Sequence, residues 1–274
     1  MKRRAKIKTW ISLIILIIAT AISIFPIYWV IITSVKAPVD VFRMPPVWIF
    51  KPTLENYRLL LNSRFPGYFA NSLIISIGTV TTSLIIGVPA AYGLARFRIR
   101  RKKDIDFFIL STRMAPPIAF IVPFYLLWSR LNLVDTYFGM VLVYILFTTA
   151  LVVWMMRAFF EDIDREVDEA AWVDGCSKWG AFFRIALPSV RGGLVATSIL
   201  AVLLTWNEFF YALILTSFNA KTMPVALPGF IGFVRLRWGE LTAAATIVVT
   251  PVLIFAILVQ RHLMRGLAGG YSNK

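Results

Sequence analysis

The sequence predicts an all-α membrane protein with six transmembrane helices, and three observations carry that expectation. Its 274 residues are 59% hydrophobic and only 16% charged, against about 25% charged in an average soluble domain. The apolar residues collect in uncharged runs that approach or exceed the roughly 20 residues a helix needs to cross a hydrocarbon core of about 30 Å. Charged residues and prolines gather in the gaps between runs, where the chain must return to water.

The first span is Thr9 to Val35, preceded by Lys2, Arg3, Arg4, Lys6 and Lys8. A cleavable signal begins in the same way, but its apolar region is only about 7–15 residues long. This run is longer, and Phe25-Pro26-Ile27-Tyr28-Trp29 lacks a small-residue cleavage pattern, so the span is read as retained. Pro38, Pro45, Pro46, Pro52 and Pro66 rule out one continuous helix from Lys36 to Tyr68. A short helix can open at Thr53, with the threonine as its cap. The second span covers about Phe69 to Leu94 and ends in the basic cluster Arg96, Arg98, Arg100, Arg101, Lys102 and Lys103. The third runs from Ile105 to Trp128, and the fourth from Thr136 to Met156. The longest hydrophilic stretch, Arg157 to Arg191, follows. Gly193 to Ser217 forms the fifth span, and a polar link with Lys221, Arg235, Arg237 and Glu240 leads to the sixth, Leu241 to Val259.

A net charge of +15 would suggest nucleic acid in a soluble protein. In a membrane chain it is a topology signal, because basic residues near span ends favour the cytoplasm. With both termini inside, 19 of the 29 basic residues fall in cytoplasmic segments and 9 outside, Arg113 lying within a span. That excess turns Arg157–Arg191 towards the cytoplasm. Cys176 is the single cysteine and His262 the single histidine, so an internal disulfide, a histidine triad and a Cys/His metal cage are all excluded.

Within the long cytoplasmic segment stands Glu169-Ala170-Ala171-Trp172-Val173-Asp174-Gly175, then nine residues, then Ile185-Ala186-Leu187-Pro188. Asp164 to Val173 is rich in helix formers. Gly175 can end that helix and turn the chain, Ser177 to Ala186 can form a second helix with Phe182, Phe183, Ile185 and Leu187 as apolar contacts, and Pro188 can stop it. The pattern resembles the signature loop of the permeases of ATP-binding-cassette importers, E-A-A, three residues, G, nine residues, I-x-L-P, at every fixed position. Outside the loop the chain is most similar to the shorter permease of maltose-type carbohydrate and polyol importers. The supporting stretches are Asn71-Ser72-Leu73, Pro89 to Arg96, Leu133-Val134-Asp135-Thr136, Trp206-Asn207-Glu208, Gln260-Arg261, and Arg265 to Gly270. The tail departs from the family, ending in Tyr271-Ser272-Asn273-Lys274.

The resemblance implies the type I importer fold, one permease domain over residues 1–274, and a coupling loop at 158–191. It implies a second homologous permease, two copies of an ATP-binding subunit, an extracytoplasmic solute-binding protein, and a place in the bacterial inner membrane with both termini cytoplasmic. The solute would be a sugar, polyol or glycerol-phosphate-like molecule. Glu169, Ala170, Ala171, Asp174, Gly175, Ile185, Leu187 and Pro188 would meet the ATPase subunit, with Glu169 as the main polar anchor. The chain holds no G-x-x-x-x-G-K-[ST] phosphate loop, so it is expected not to be an enzyme and to carry no cofactor, ATP and magnesium being bound by its partners. A self-sufficient carrier or channel is the alternative.

Ionisable groups inside spans are functional candidates, because an unpaired one among lipid tails is costly. Arg113 lies about eight residues into the third span, beside Pro116 and Pro117, and either snorkels to the interface or lines the passage. Asn207 and Glu208 lie about fifteen residues into the fifth, and either face the central cavity or bond neighbouring helices.

Overall fold

The computed structural model describes residues 2–114, 116–231 and 237–269, which leaves Arg235 and the tail Gly270–Lys274 outside the described residues. Fourteen α-helices occur among them: α1 Lys2–Ser34, α2 Pro38–Val41, α3 Glu55–Leu61, α4 Phe65–Arg96, α5 Lys102–Met114, α6 Pro117–Arg130, α7 Tyr137–Glu161, α8 Arg165–Val173, α9 Lys178–Ala181, α10 Leu187–Ser189, α11 Arg191–Trp206, α12 Phe210–Leu215, α13 Met223–Ala226 and α14 Trp238–Gly269. Among the described residues four stretches are long and apolar enough to cross a membrane: Thr9–Ser34, Phe65–Arg96, Tyr137–Glu161 and Trp238–Leu258. Two bent pairs, Lys102–Met114 with Pro117–Arg130 and Lys178–Ser189 with Arg191–Trp206, raise the total to six if each pair is one span.

The expected third and fifth spans therefore need revision. Pro116 and Pro117 divide the third into α5 and α6, which lie at 90°, because a proline cannot donate the helical hydrogen bond and its ring crowds the preceding turn. The fifth is interrupted between Trp206 and Phe210. The helices α4, α7 and α14 run past the expected ends of their spans: α7 continues through Arg157 to Glu161, where Arg157 bridges Glu161 at 2.8 Å and Asp106 of α5 at 2.5 Å. Thr53 sits one residue before the Leu54 cap position of α3, but its hydroxyl accepts from the Glu55 N–H at 3.2 Å.

The chain divides into two compact units, Met1–Pro66 with Ala226–Thr250 and Gly67–Val225 with Pro251–Lys274. In the first, the Asn56 side chain ties α3 to the end of α1 by donating to the carbonyls of Ser34 and Lys36 at 2.9 and 2.8 Å. Beyond that knot, α1 is apolar all round and exposed along residues 9–26, the surface expected of a helix whose neighbours are lipid or another chain.

In the second unit α4 and α7 run parallel and in register. Tyr137 meets Asn71, Thr149 meets Ser83, and Tyr92 packs on Phe160 with ring centroids 5.3 Å apart. Gly87 permits the approach, since a β-carbon there would stand 2.7 Å from Val152. Small residues at such crossings replace a hydrophobic driving force that lipid cannot supply. One apolar cluster, with Tyr92, Val152, Met156, Phe160, Phe182 and Ala186, lies at the C-terminal ends of these two helices. A second, with Ile75, Trp128, Met140, Tyr144 and Leu215, lies at their N-terminal ends.

Candidate functional site

The segment after α7 folds as two short helices around a tight turn. α8 covers Arg165–Val173, starting at the Asp164 cap position. Gly175 takes φ +85°, its N–H bonds the Trp172 carbonyl at 3.1 Å, and the Cys176 N–H bonds the Ala171 carbonyl at 2.9 Å. That pair of bonds is a Schellman ending, which a left-handed glycine completes without steric cost. The Ser177 hydroxyl accepts from the Gly180 N–H at 3.0 Å and opens α9. The helix widens into a π turn over Phe182–Ala186 and continues through Leu187–Ser189. Pro188 thus does not stop it, as the sequence suggested. A proline four residues after Arg184 can donate nothing to that carbonyl, and a wider turn relieves the clash. The stop comes between Ser189 and α11, where the axis bends by 78°.

The expected coupling residues divide by exposure. Glu169, Ala170, Asp174, Gly175 and Pro188 are exposed, Ile185 and Leu187 are half-buried, and Ala171 is buried. Beside the first group stand Val173, Trp179 and Phe183, at 87%, 62% and 58% exposure. Of the predicted apolar contacts, Phe182 is inside the core and Phe183 outside it. The loop therefore leaves Val173, Trp179 and Phe183 uncovered together with the exposed charged residues Glu169, Asp174, Lys178 and Arg184.

Its opposite face holds a group that sequence reasoning missed. Asp168 is 1% exposed. Arg96 Nε stands 2.5 Å from Asp168 Oδ2, and the Tyr92 hydroxyl donates to Oδ1 at 2.9 Å. Two guanidinium–carbonyl bonds flank the pair, Arg96 to Ile163 at 2.9 Å and Arg165 to Ala95 at 3.3 Å. The second of these satisfies a terminal carbonyl of α4 that has no partner within the helix. Removing one member of such a buried pair strands a charge, typically at about 3–5 kcal/mol. The available signal was Tyr92 and Arg96 four residues apart on an apolar helix, one face offering both a hydroxyl and a cation.

Arg113 and Glu208 reach the same cavity of about 560 Å³, walled by Phe108, Phe120, Phe124, Phe147 and Tyr211 among others. Asn207 does not line it, because its amide turns back to the Leu203 carbonyl at 2.8 Å. Arg113 is exposed and bonds none of the other described side chains. Glu208 is fully engaged: Oε1 accepts from the Tyr211 N–H at 2.9 Å, while Oε2 accepts from the Ala212 N–H at 3.2 Å and the Tyr144 hydroxyl at 2.7 Å. Its carboxylate replaces the carbonyls that a continuous fifth span would have offered, so the break between α11 and α12 costs no unpaired N–H at Tyr211 or Ala212. Among the described residues no group of three or more His, Cys, Asp or Glu could hold a metal.

At the far end of α4 and α7, the remaining sequence stretches form a polar knot. Asn71 donates to the carbonyls of Asn219 and Lys221 at 2.8 and 2.9 Å and accepts from the Tyr137 hydroxyl at 2.7 Å. Ser72 accepts from the Met223 N–H at 2.9 Å. Asp135 collects the N–H groups of Ser217, Phe218, Asn219 and Ala220 at 2.9–3.1 Å. Thr136 caps α7 at Gly139, where a β-carbon would lie 2.2 Å from the Leu133 carbonyl oxygen.

Burial pushes the Asp135 carboxyl upward, but the four N–H donors together outweigh it and hold the carboxyl below its ordinary 3.8. A depressed carboxylate stabilises above its unfolded value, and that contribution is lost as pH falls through the folded one. Asp135→Asn keeps a residue tolerant of the positive φ found here but loses the charge. It should lower the stability of the assembled protein by about 1 kcal/mol at pH 7. Thermal melts of both proteins should converge below the depressed value; a gap of unchanged size in acid would remove the charge from the account.

Residues 83–269 match the family described as binding-protein-dependent transport system inner membrane component. The chain is 38% identical, over 90% of its length and 89% of the relative's, to a probable ABC transporter permease protein of Sinorhizobium fredii. It is 32% identical, over 98% of both chains, to the trehalose/maltose transport system permease protein of Thermococcus litoralis. In structure it resembles a chain of a bacterial ABC transporter involved in the import of the acidic polysaccharide alginate, with TM-score 0.80 and 25% identity over 94% of this chain and 97% of that one.

Proposed function

Because this chain belongs to the family of binding-protein-dependent transport system inner membrane components, we propose that it is one of two permeases of an ATP-driven importer for a sugar or sugar-like solute. It works with a second homologous permease, two ATP-binding subunits and an extracytoplasmic binding protein. Both termini and the loop of α8 to α10 face the cytoplasm, in keeping with the basic residues that cluster there. The solute class rests on relatives such as the trehalose/maltose permease.

The observation that carries the reading is the two-sided loop. Its outer side offers Glu169 beside Val173, Trp179 and Phe183, largely uncovered within the chain. Exposed aromatic and aliphatic residues rimmed by charged ones have the composition of an interface core with its polar rim. An ATPase subunit seated there closes with its twin on binding ATP, carries the loop with it, and opens the passage outward. In the passage, Arg113 presents its free guanidinium to the solute, and Glu208 holds the wall on which the aromatic residues stand. Guanidinium hydrogen bonds and ring faces are both suited to hydroxylated, partly apolar molecules. ATP and magnesium belong to the partner subunits.

A self-sufficient carrier has no support in the relatives, which are permeases of ABC systems. Reconstitution in vesicles decides between the two. The complete complex should accumulate solute only with ATP and the binding protein, and this chain alone should accumulate none. Uptake by the chain alone under an ion gradient would overturn the proposal.

A further inference from the structure

We propose that Asp168 is the joint that fastens the coupling loop to α4, so that α8 and α4 move as one body and α4 delivers the loop's motion to the opposite end of the protein. The inference rests on the coupling role proposed above and adds to it the residues that transmit the movement.

The two halves of the loop are held differently. The half formed by α9, the π turn and α10 is anchored in the core by Phe182 and Ala186, through apolar packing. Such contacts are not directional, and one packed surface can slide over another. The half formed by α8 is held by the close charge contact of Arg96 with Asp168 and by hydrogen bonds of fixed direction: Tyr92 on Asp168 Oδ1, Arg96 on the Ile163 carbonyl, and Arg165 on the Ala95 carbonyl. Both side chains of the ion pair are almost wholly buried, at 3% and 2% exposure. Ring contacts add to the hold on α8, with Phe97 stacked on Trp172 at 6.2 Å, and the same ring meets the other half through Lys178 Nζ at 5.1 Å. Between the halves lies Gly175, whose β-carbon position meets no atom within 4 Å.

Burying an ion pair is seldom the most stabilising way to join two surfaces, since well-packed apolar residues do as well or better. What the pair supplies is a defined orientation that is lost when either charge is removed. The other end of the shaft is equally defined. α4 lies parallel to α7 as far as Asn71 and Ser72, which hold the backbone of residues 219–223. The 26 residues from Asn71 to Arg96 span roughly 37 Å of helix. A displacement of α8 therefore reaches, along one helix, the polar knot that ties α4, α7 and the segment after α12.

The test uses the complete complex in vesicles, with solute accumulated per ATP hydrolysed as the readout, measured in wild type, Asp168→Asn, Asp168→Glu and Tyr92→Phe. A residue that only stabilises the fold changes the amount of assembled complex and leaves that ratio alone. Asp168→Asn should continue to hydrolyse ATP while the ratio falls by roughly tenfold, the scale expected when a coupling residue is altered. Asp168→Glu, which keeps the charge, should recover part of the ratio, and Tyr92→Phe should lower it by about twofold to threefold, as for one hydrogen bond. A wild-type ratio in assembled Asp168→Asn overturns the inference while leaving the coupling role intact. If Asp168→Asn does not assemble, Tyr92→Phe decides in the same way, a lowered ratio supporting the joint and a wild-type ratio overturning it. A wild-type complex whose uptake needs no ATP overturns the coupling role and the inference together.

Discussion

Gly175→Asp should abolish uptake while membrane insertion and the fold of the permease itself remain nearly intact. The spans are untouched by the change, and a β-carbon at Gly175 meets nothing within 4 Å. The internal penalty is therefore the backbone alone. A side chain in the left-handed region that φ +85° demands costs roughly 1–2 kcal/mol, and less for aspartate and asparagine, which tolerate it best. The larger effect lies outside the chain. The new carboxylate would project into open space beside Val173 and Asp174, where the ATPase subunit is proposed to dock, and would add to the negative charge already present. Uptake per inserted protein should fall by well over tenfold, each tenfold corresponding to about 1.4 kcal/mol of lost coupling or affinity. The ATP-binding subunit should copurify weakly. Gly175→Ala separates the causes, because it imposes the backbone penalty without the charge; it should keep the subunit attached and lose only part of the uptake. Native uptake in the aspartate variant would remove the turn from the interface.

Glu208→Leu should be the most damaging single change in the membrane interior. It takes the acceptor from three donors, the N–H groups of Tyr211 and Ala212 and the hydroxyl of the buried Tyr144. Each unsatisfied buried group costs about 1–3 kcal/mol, so the assembled complex should melt markedly lower and accumulate poorly. Glu208→Gln retains one oxygen that can accept from two of the donors but turns an amide N–H towards the third. Its loss of stability should be about half as large. Since both carboxylate oxygens are engaged within the chain, transport per assembled complex should stay near wild type in the glutamine variant. A tenfold fall in that normalised rate, with assembly unchanged, would show that the carboxylate itself meets the solute.

Much of the architecture was legible because membrane helices obey local rules. Uncharged runs located the spans around Thr9–Ser34, Phe65–Arg96, Tyr137–Glu161 and Trp238–Leu258, and the spacing from Glu169 through Gly175 to Pro188 identified the loop. The ends of α8 followed from residues near each other in sequence, Asp164 at its start and Gly175 at its close. A glycine in a left-handed turn is a local requirement, visible without any knowledge of neighbours.

What local rules could not supply were partners distant in the chain. Trp206-Asn207-Glu208 looked like polar matter inside one continuous span; only the fold brings Tyr144 to Glu208 and lets a side chain replace backbone acceptors at a helix break. Arg96 read as one of six basic residues on a cytoplasmic flank, whereas folding buries it on Asp168, 72 positions away. Asn71 and Asp135 were separate fragments of resemblance until the parallel packing of α4 and α7 joined them, with Asn219, in one knot. Hydropathy and turn chemistry are properties of a window of sequence, so the sequence by itself determined four of the spans, the turn at Gly175 and the family. Whether a charge is solvated or paired depends on what folding places against it, and only the tertiary structure decided that for Arg96, Asp168 and Glu208.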